Sequence, residues 1–598
     1  MAIITIIGAG KQTIRAESNT SLLKALQDAG LYLPAICGGR GTCGKCKIRL
    51  AAGRMPPGAS DRNYFSETEL AAGYRLSCAA FPGEDLSIEI PETGEQNFAA
   101  VNSFEAQEEA PRVPDAETFT LKKDGQSYAR QLSPGKKFSL SELRQVSELA
   151  EAQARIFGAA RADAAPPDTL RVYREGGHIR HIGGGSEALY AAAIDIGTTT
   201  LAFALIDLRT GKTSGRLSAV NRQREFGGDV ISRIQSANDG NLSRLSRCIR
   251  SQIAAGLKDL CAEAGTEPRS VVKIAVTGNT TMLHLLLCLS CRTLGQTPFT
   301  PVTLDMVFMN YKELFEGEFF CEVAVLPGIS TYVGADIAAG ILYAGLHHSR
   351  APAAFMDIGT NGEMALAFGG KILCTATAAG PAFEGGNILW GTGSVPGAIS
   401  KARFREGSVS GGDSPEGQFE ITTIGGKAPA GICGSGVVDI VYQGFAKDLI
   451  LSSGRFNKKN LPANEIFLAR APDGRDIVFC QKDVRELQLG KSAIRSGLDA
   501  MLNHAGLGYD DLQALYIAGG FGFNLNLESG AGIGLIPKEL LPRVSLIGNS
   551  ALGGTVKYLL NPDYGEELYR ITEEADEFSL PSDKYFNSHF ITNVDFDS

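Results

Sequence analysis

Three cysteines crowd one glycine-rich stretch, Cys37-Gly-Gly-Arg-Gly-Thr-Cys43-Gly-Lys-Cys46, and a fourth returns from a distance in Arg75-Leu-Ser-Cys78-Ala. The spacing Cys-x5-Cys-x2-Cys with a remote fourth thiolate lies one residue from the plant-type pattern that holds a [2Fe–2S] cluster. It confines residues 1–93 to a small unit that must wrap this loop. Backbone N–H groups have to approach the cluster's sulfides, and glycines are needed there because a Cβ would obstruct them. Residues 3–7 and 12–17 read as strands joined by a turn at Gly8-Ala-Gly10. Residues 22–29 read as a helix stopped by Gly30, with further strands at 47–50 and 86–90.

This β-rich unit around one helix resembles the β-grasp ferredoxin fold. The whole chain, 598 residues, is too long for a single core, so further domains follow. A net charge of -9 gives no footing for nucleic acid. The first residues lack a basic leader and read as a strand, and the apolar run at 282–289 is short and broken by His284, so no membrane span is expected. Twelve cysteines in such a chain point to a reducing cytoplasm, with thiols as metal ligands or core fillers. Cys288-Leu-Ser-Cys291, with no second pair beside it, reads as core packing.

Residues 94–117 are polar, acidic and proline-bearing, as in a flexible linker. A small α/β middle domain follows at 118–188, with strands at 119–122 and 170–174, a helix at 139–149, and a hinge at the triple glycine 183–185. From 189 to 598 strands and helices alternate. Two glycine-bearing strand–turn units imply a duplicated domain whose second half begins near 350.

Those units are Asp195-Ile-Gly197-Thr198-Thr199-Thr200 and Asp357-Ile-Gly359-Thr360-Asn361-Gly-Glu363. Amides and hydroxyls of such a turn wrap phosphate oxygens, and the carboxylate holds Mg²⁺ directly or through water. One such turn is an ordinary hairpin feature; two in matching contexts point to phosphate. Asp195 and Asp357 are expected to position Mg²⁺, with Gly197, Thr198, Thr199, Gly359, Thr360 and Asn361 around the phosphates. Glu363 reads either as orienting water or as a solvated carboxylate. Gly519, Gly520 and Gly522, after a strand, allow an adenine and ribose to come close. Asn549-Ser550 opens the last long helix, as a connector or a capped start. Glu225 and Asp229 read either as approaching the metal or as an exposed helix start. His347-His348 reads as non-ligating, Trp390 as loop packing, and Arg40 and Lys45 as tuning the cluster or as solvated charge.

The order of turn, connector, turn, paired glycines and connector is similar to the acetate and sugar kinase, heat-shock protein and actin superfamily. With its iron–sulfur head, the chain resembles the reductive activators of corrinoid proteins. Asn221-Arg-Gln-Arg-Glu-Phe-Gly-Gly-Asp229-Val-Ile-Ser-Arg-Ile, Thr277-Gly-Asn-Thr-Thr-Met282 and Gly431-Ile-Cys-Gly-Ser-Gly-Val-Val-Asp439 also carry the likeness. The resemblance implies a multidomain α+β and α/β chain: a [2Fe–2S] ferredoxin domain, a small middle domain and a duplicated actin-like ATPase. It implies ATP and Mg²⁺ as cofactors, and one electron passed to Co(II) cobalamin to regenerate Co(I) for methyl transfer or O-demethylation. Cys37, Cys43, Cys46 and Cys78 would ligate the iron. The implied partners are a corrinoid protein, a low-potential donor such as a ferredoxin or flavoprotein, and a second copy in a homodimer. The absence of a cysteine-rich C-terminal cluster region separates the chain from [4Fe–4S] activators. Rival readings are an activator of a radical dehydratase or ring reductase, a small-molecule kinase with a redox-sensing head, and an actin-like scaffold.

Overall fold

The structure is a computed structural model. It describes residues 2–7, 12–17, 19–29, 31, 33, 39, 41, 44, 46–90, 104, 117–120, 147, 169–175, 178–184, 188–319, 321–405, 418–462, 464–522 and 524–596. For 27–28, 117–120, 169–175 and 178–184 only the backbone is described. Cys37, Cys43, Arg40, Lys45, the turn at 8–10 and nearly all of the expected linker and middle helix lie outside these residues.

The front unit holds β1 (Ala2–Ile7), β2 (Gln12–Ala16), β3 (Lys47–Ala52), β4 (Tyr74–Leu76) and β5 (Leu86–Glu89), ordered β2-β1-β5-β3-β4. β1 and β5 run parallel and the other pairs antiparallel. In β1 the pleat sends Ile4 and Ile6 inward and leaves Ile3 and Ile7 exposed, as a sheet with one covered face requires. The helix Leu22–Asp28 covers that face through Leu22, Leu23 and Leu26. This is the expected β-grasp arrangement. The short strand β4, not anticipated from sequence, carries the chain to Cys78.

Behind it, β6 (Glu117–Thr120), β7 (Thr169–Glu175) and β8 (His178–Gly184) form a three-stranded sheet ordered β6-β7-β8. Gly183 and Gly184 pair with Arg171 and Leu170 in its ladder. The hinge expected at 183–185 is therefore corrected for these two glycines: ladder hydrogen bonds fix their backbone. Phe104, inside the stretch read as linker, is buried in the core of the following domain, and Arg216 lies 4.6 Å over its ring.

The remainder is one architecture used twice. β9 (Tyr190–Ile196), β10 (Thr200–Asp207), β11 (Thr213–Val220), β12 (Val271–Gly278), β13 (Val307–Asn310) and β14 (Glu322–Val325) form a sheet ordered β11-β10-β9-β12-β14-β13. The second half opens with β15 (Ala353–Ile358), β16 (Gly362–Phe368) and β17 (Lys371–Thr377). A side sheet of β18 (Ala398–Phe404), β19 (Phe419–Thr423) and β20 (Gly431–Ile432), and a hairpin of β21 (Glu465–Arg470) and β22 (Asp476–Cys480), are inserted next. β23 (Ala514–Ala518), β24 (Val544–Gly548) and β25 (Ala575–Glu577) then return, completing β24-β23-β15-β16-β17-β25. Each half has an antiparallel three-strand meander continued by parallel strands. The central strands are apolar on both faces because helices cover both sides. The helices Ala335–Ala344 and Ser550–Leu560 pack on each other, each beginning at the cleft between the halves.

Candidate functional site

The turns β9–β10 and β15–β16 face each other across one cleft. Asp195, Gly197, Thr198, Thr199, Gly359, Thr360, Asn361, Asp357 and Glu363 all line it. The turns are tight: the Gly197 N–H donates to Thr200 O at 2.9 Å, and the Gly359 N–H to Asn361 O at 2.9 Å. A Cβ on Gly197 would sit 2.8 Å from Thr200 O, so the turn needs glycine.

The first turn is braced from behind by the 221–234 motif. Asn221 Nδ2 donates to Gly197 O at 2.8 Å, and the fully buried Arg233 donates to Thr198 O at 2.5 Å and to Gly227 O at 2.9 Å. Glu225 and Asp229 do not line the cleft. Asp229 caps the helix Val230–Ser236, accepting from the Ser232 N–H at 2.8 Å, and Glu225 ends a short turn, its acidity weakened by burial. Two asparagines serve both helix and cleft. Asn279 caps the helix Thr280–Leu287 and donates to Thr198 Oγ1 at 3.1 Å. Asn549 caps Ser550–Leu560 and donates across the cleft to Asp195 Oδ2 at 3.0 Å. It is thus both connector and cap.

Two acids in the cleft escaped the sequence reading. Asp336, at the start of Ala335–Ala344, lines it, and Glu384 accepts the hydroxyls of Thr199 (2.8 Å) and Thr360 (2.7 Å) on one oxygen. Neither lies in an Asp–Gly–Thr turn; the only local signal was Gly334 before Asp336 and the flanking Gly385-Gly386 after Glu384. Burial raises Asp195 to about 6, opposed by the Asn549 hydrogen bond. Burial, then the charges of Asp195 and Glu384, pushes Asp357 up to about 7. Asp336 and Glu363 are also raised, by burial first and then by neighbouring carboxylates. Glu363 faces Asp357 across the hairpin and is buried, so its reading as a solvated carboxylate is corrected. So many acids out of water with little positive charge beside them form a donor set suited to a hard divalent cation.

The far wall is formed by Gly434 and Ser435 at the start of the helix Gly434–Ala446, and by Gly519, Gly520 and Phe521. Gly519 has φ +91°, and a Cβ there would meet Asp357 Oδ1 at 2.6 Å; a Cβ on Gly520 would meet nothing within 4 Å. Gly520 therefore presents bare backbone to the cleft. Gly522 does not line it: it packs on Ile517, whose Cγ2 lies 2.9 Å from where a Cβ would be.

In the front unit Cys46 and Cys78 are buried side by side. Ser77 donates to Cys46 O through its N–H (2.8 Å) and its hydroxyl (3.0 Å). The N–H groups of Leu22 and Leu23 donate to Ala80 O and Ser77 O, so the first turn of the helix clamps the Cys78 segment. Gly39, Gly41 and Gly44 have φ of +83°, +73° and +66°, a left-handed path that side chains resist. Two buried thiols beside a loop with three left-handed glycines fit a [2Fe–2S] cluster.

His347 and His348, read as non-ligating, meet Glu567 at 2.8 and 3.4 Å. They are the one His/Cys/Asp/Glu trio so gathered among the described residues. Cys291 is buried in the core as expected, and Arg475 lies 5.0 Å over Trp390. Among the described residues no helix is long and apolar enough to cross a membrane.

Comparison with known proteins follows this division. A 2Fe-2S iron-sulfur cluster binding domain matches residues 4–83, the RACo middle region 190–349, and the C-terminal domain of RACo, the ASKHA domain, 351–598. A solved structure of a reductive activator for corrinoid, iron-sulfur protein superposes with a TM-score of 0.70 over 100% of this chain and 98% of that one, at 29% identity. The chain belongs to the reductive activators of corrinoid proteins. The corrinoid activation enzyme RamQ of Eubacterium limosum is 28% identical over 605 residues, covering 95% of this chain and 94% of its own. The [Co(II) methylated amine-specific corrinoid protein] reductase of Methanosarcina barkeri is 25% identical over 443 residues, 68% of this chain and 77% of its own. This chain thus joins a 2Fe-2S iron–sulfur head to an actin-like ATPase fold.

Proposed function

We propose that this chain reductively activates a corrinoid protein, passing one electron from a [2Fe–2S] centre to Co(II) under the control of ATP. The observation that carries the reading is the meeting of both Asp–Gly–Thr turns, one from each copy of the sheet, in a single acid-lined cleft behind an iron–sulfur domain. The names of the relatives support the corrinoid protein as partner.

Thr198, Thr199 and Thr360 supply hydroxyls, and the turn amides N–H groups, to the phosphates. Asp195 and Asp357 would hold Mg²⁺, directly or through water, and Glu363 would orient water. Gly519 and Gly520 give the nucleoside a surface without side chains. Cys46 and Cys78, with Cys37 and Cys43, hold the cluster. Bound there, a plant-type [2Fe–2S] centre stores one electron near about -400 mV. Each ~59 mV of uphill transfer costs about tenfold in the equilibrium constant. Nucleotide can offset that only by binding two arrangements of the protein unequally. The cleft between the halves, crossed by side-chain hydrogen bonds, is the element so biased. We place the units at 1–93, 118–188 and 189–598, joined by 94–117, with a low-potential ferredoxin or flavoprotein as donor.

The test mixes anaerobically reduced protein, Mg-ATP and a Co(II) corrinoid protein and follows the Co(I) absorption band. Co(I) that appears only with ATP is expected. Its absence with several corrinoid partners, from protein of full iron content, defeats the reading.

A further inference from the structure

Glu384 bridges the turns of the two halves. Thr199 belongs to the turn of the first sheet and Thr360 to that of the second, yet both hydroxyls donate to the same oxygen, Glu384 Oε2, at 2.8 and 2.7 Å. A hydroxyl has one proton to give, so these two donors are spent on the carboxylate. Its other oxygen, Oε1, lies 3.5 Å from where a Cβ on Gly359 would be, close against the second turn. The acid is half-buried and ends the short turn Pro381–Glu384, set between Gly380 (φ +77°) and Gly385 (φ +76°). Gly385 is pinned: a Cβ there would meet Thr392 O at 2.3 Å. Gly380 is open, with nothing within 4 Å. Ala382 and Phe383 are buried in the core of the second half, so the turn is held in place and the half-buried Glu384 side chain is the part free to turn away.

The carboxylate oxygen takes one hydroxyl from each turn, the same two hydroxyls that the nucleotide reading assigns to phosphate. A carboxylate and a phosphoryl group cannot share those donors, and two anions at hydrogen-bonding distance repel strongly away from water. We propose that Glu384 is a cross-cleft latch: it ties the two turns together when the cleft is empty and must be displaced by the terminal phosphoryl group of a bound nucleotide. This rests on reading the cleft as a nucleotide site and assigns it a positioning residue. The latch discriminates between nucleotides by what they carry at the far end. A nucleoside triphosphate reaches both hydroxyls and breaks the tie; a diphosphate leaves Glu384 in place. The state of the Thr199–Glu384 bond therefore reports the phosphate number to the junction of the halves.

Calorimetric titration of the full-length wild type, Glu384→Ala and Glu384→Gln with a Mg²⁺-bound non-hydrolysable ATP analogue and with Mg-ADP tests this. Removing the competitor in Glu384→Ala is expected to tighten analogue binding about tenfold and ADP binding less than about threefold, because the freed hydroxyls and the lost charge act on the terminal group alone. Glu384→Gln keeps an acceptor without the charge and should gain about threefold for the analogue; it decides the matter if the alanine variant does not fold. A merely structural glutamate would weaken both ligands together. Variants that bind the analogue no better than wild type, or gain equally for ADP, overturn the latch alone. A wild type that binds neither ligand removes the nucleotide reading and the latch with it.

Discussion

Cys46 and Cys78 become neighbours only on folding, through Ser77 bonding to the Cys46 carbonyl and the first helix clamping the segment beyond it. Their proposed role as ligands was nonetheless legible, because thiolates at that spacing in a glycine loop have few other uses. Cys46→Ser is expected to abolish the visible absorption and the reduced-state paramagnetic signal of a [2Fe–2S] centre while ATP turnover persists; retention of the full signal would show that Cys46 is not a ligand. Arg233 was less legible. It sits in a motif quoted for its likeness alone, with no role for the arginine, yet it is completely buried with its guanidinium on the carbonyls of Thr198 and Gly227. Arg233→Met leaves those carbonyls unpaired, which should cost about 3 kcal/mol by chemical denaturation and weaken nucleotide binding. A variant as stable as wild type would show that the brace is dispensable.

At the scale of elements, the helices Ala335–Ala344 and Ser550–Leu560 carry Asp336 and Asn549 to the cleft, and their spacing depends on glycine. A Cβ at Gly554 would lie 1.9 Å from Ala339 O, inside the other helix's backbone. Alanine is the better helix former by about 1 kcal/mol, so propensity and packing oppose each other at this position. Packing should win. Gly554→Ala is expected to destabilise the protein by about 1–3 kcal/mol and to lower nucleotide affinity by moving the helix starts that carry Asp336 and Asn549. A rise in melting temperature would show that the helices part without cost. Gly519, Gly520 and Gly522 make the complementary case. All three were read as nucleoside-facing, but Gly522 packs on Ile517 within its own strand–turn unit. Composition marks a close approach; it does not say to what.

Over the whole molecule, the electrostatics of the cleft dominate. Asp195 and Asp357 have proton affinities raised to about 6 and about 7, mainly by burial. With folded values above the unfolded carboxylate value near ~3.9, their contribution to stability is fully present below that pH. It is lost as pH rises through about 6 and 7. A divalent cation displaces those protons. Mg²⁺-nucleotide should therefore bind more tightly at pH 8 than at pH 5.5, releasing protons at the lower pH and restoring the stability lost in the metal-free protein at the higher. Proton release is read by calorimetry in buffers of different ionisation enthalpy. Affinity independent of pH across that window would mean that these acids do not meet the cation.

Local chemistry let the sequence alone determine the iron–sulfur head and the doubled Asp–Gly–Thr turns, because each depends on residue type at short spacing; the actin-like class came from the order of such motifs along the chain. The tertiary structure decided which acids share the cleft. Asp336 and Glu384 belong to no repeating signal and reach it only because a helix start and a short turn are aimed there by packing around distant glycines. Burial decided the rest: an aspartate reads the same in sequence whether water surrounds it or not, and only the closing of two sheets around one cleft takes these carboxylates out of water and raises their proton affinity.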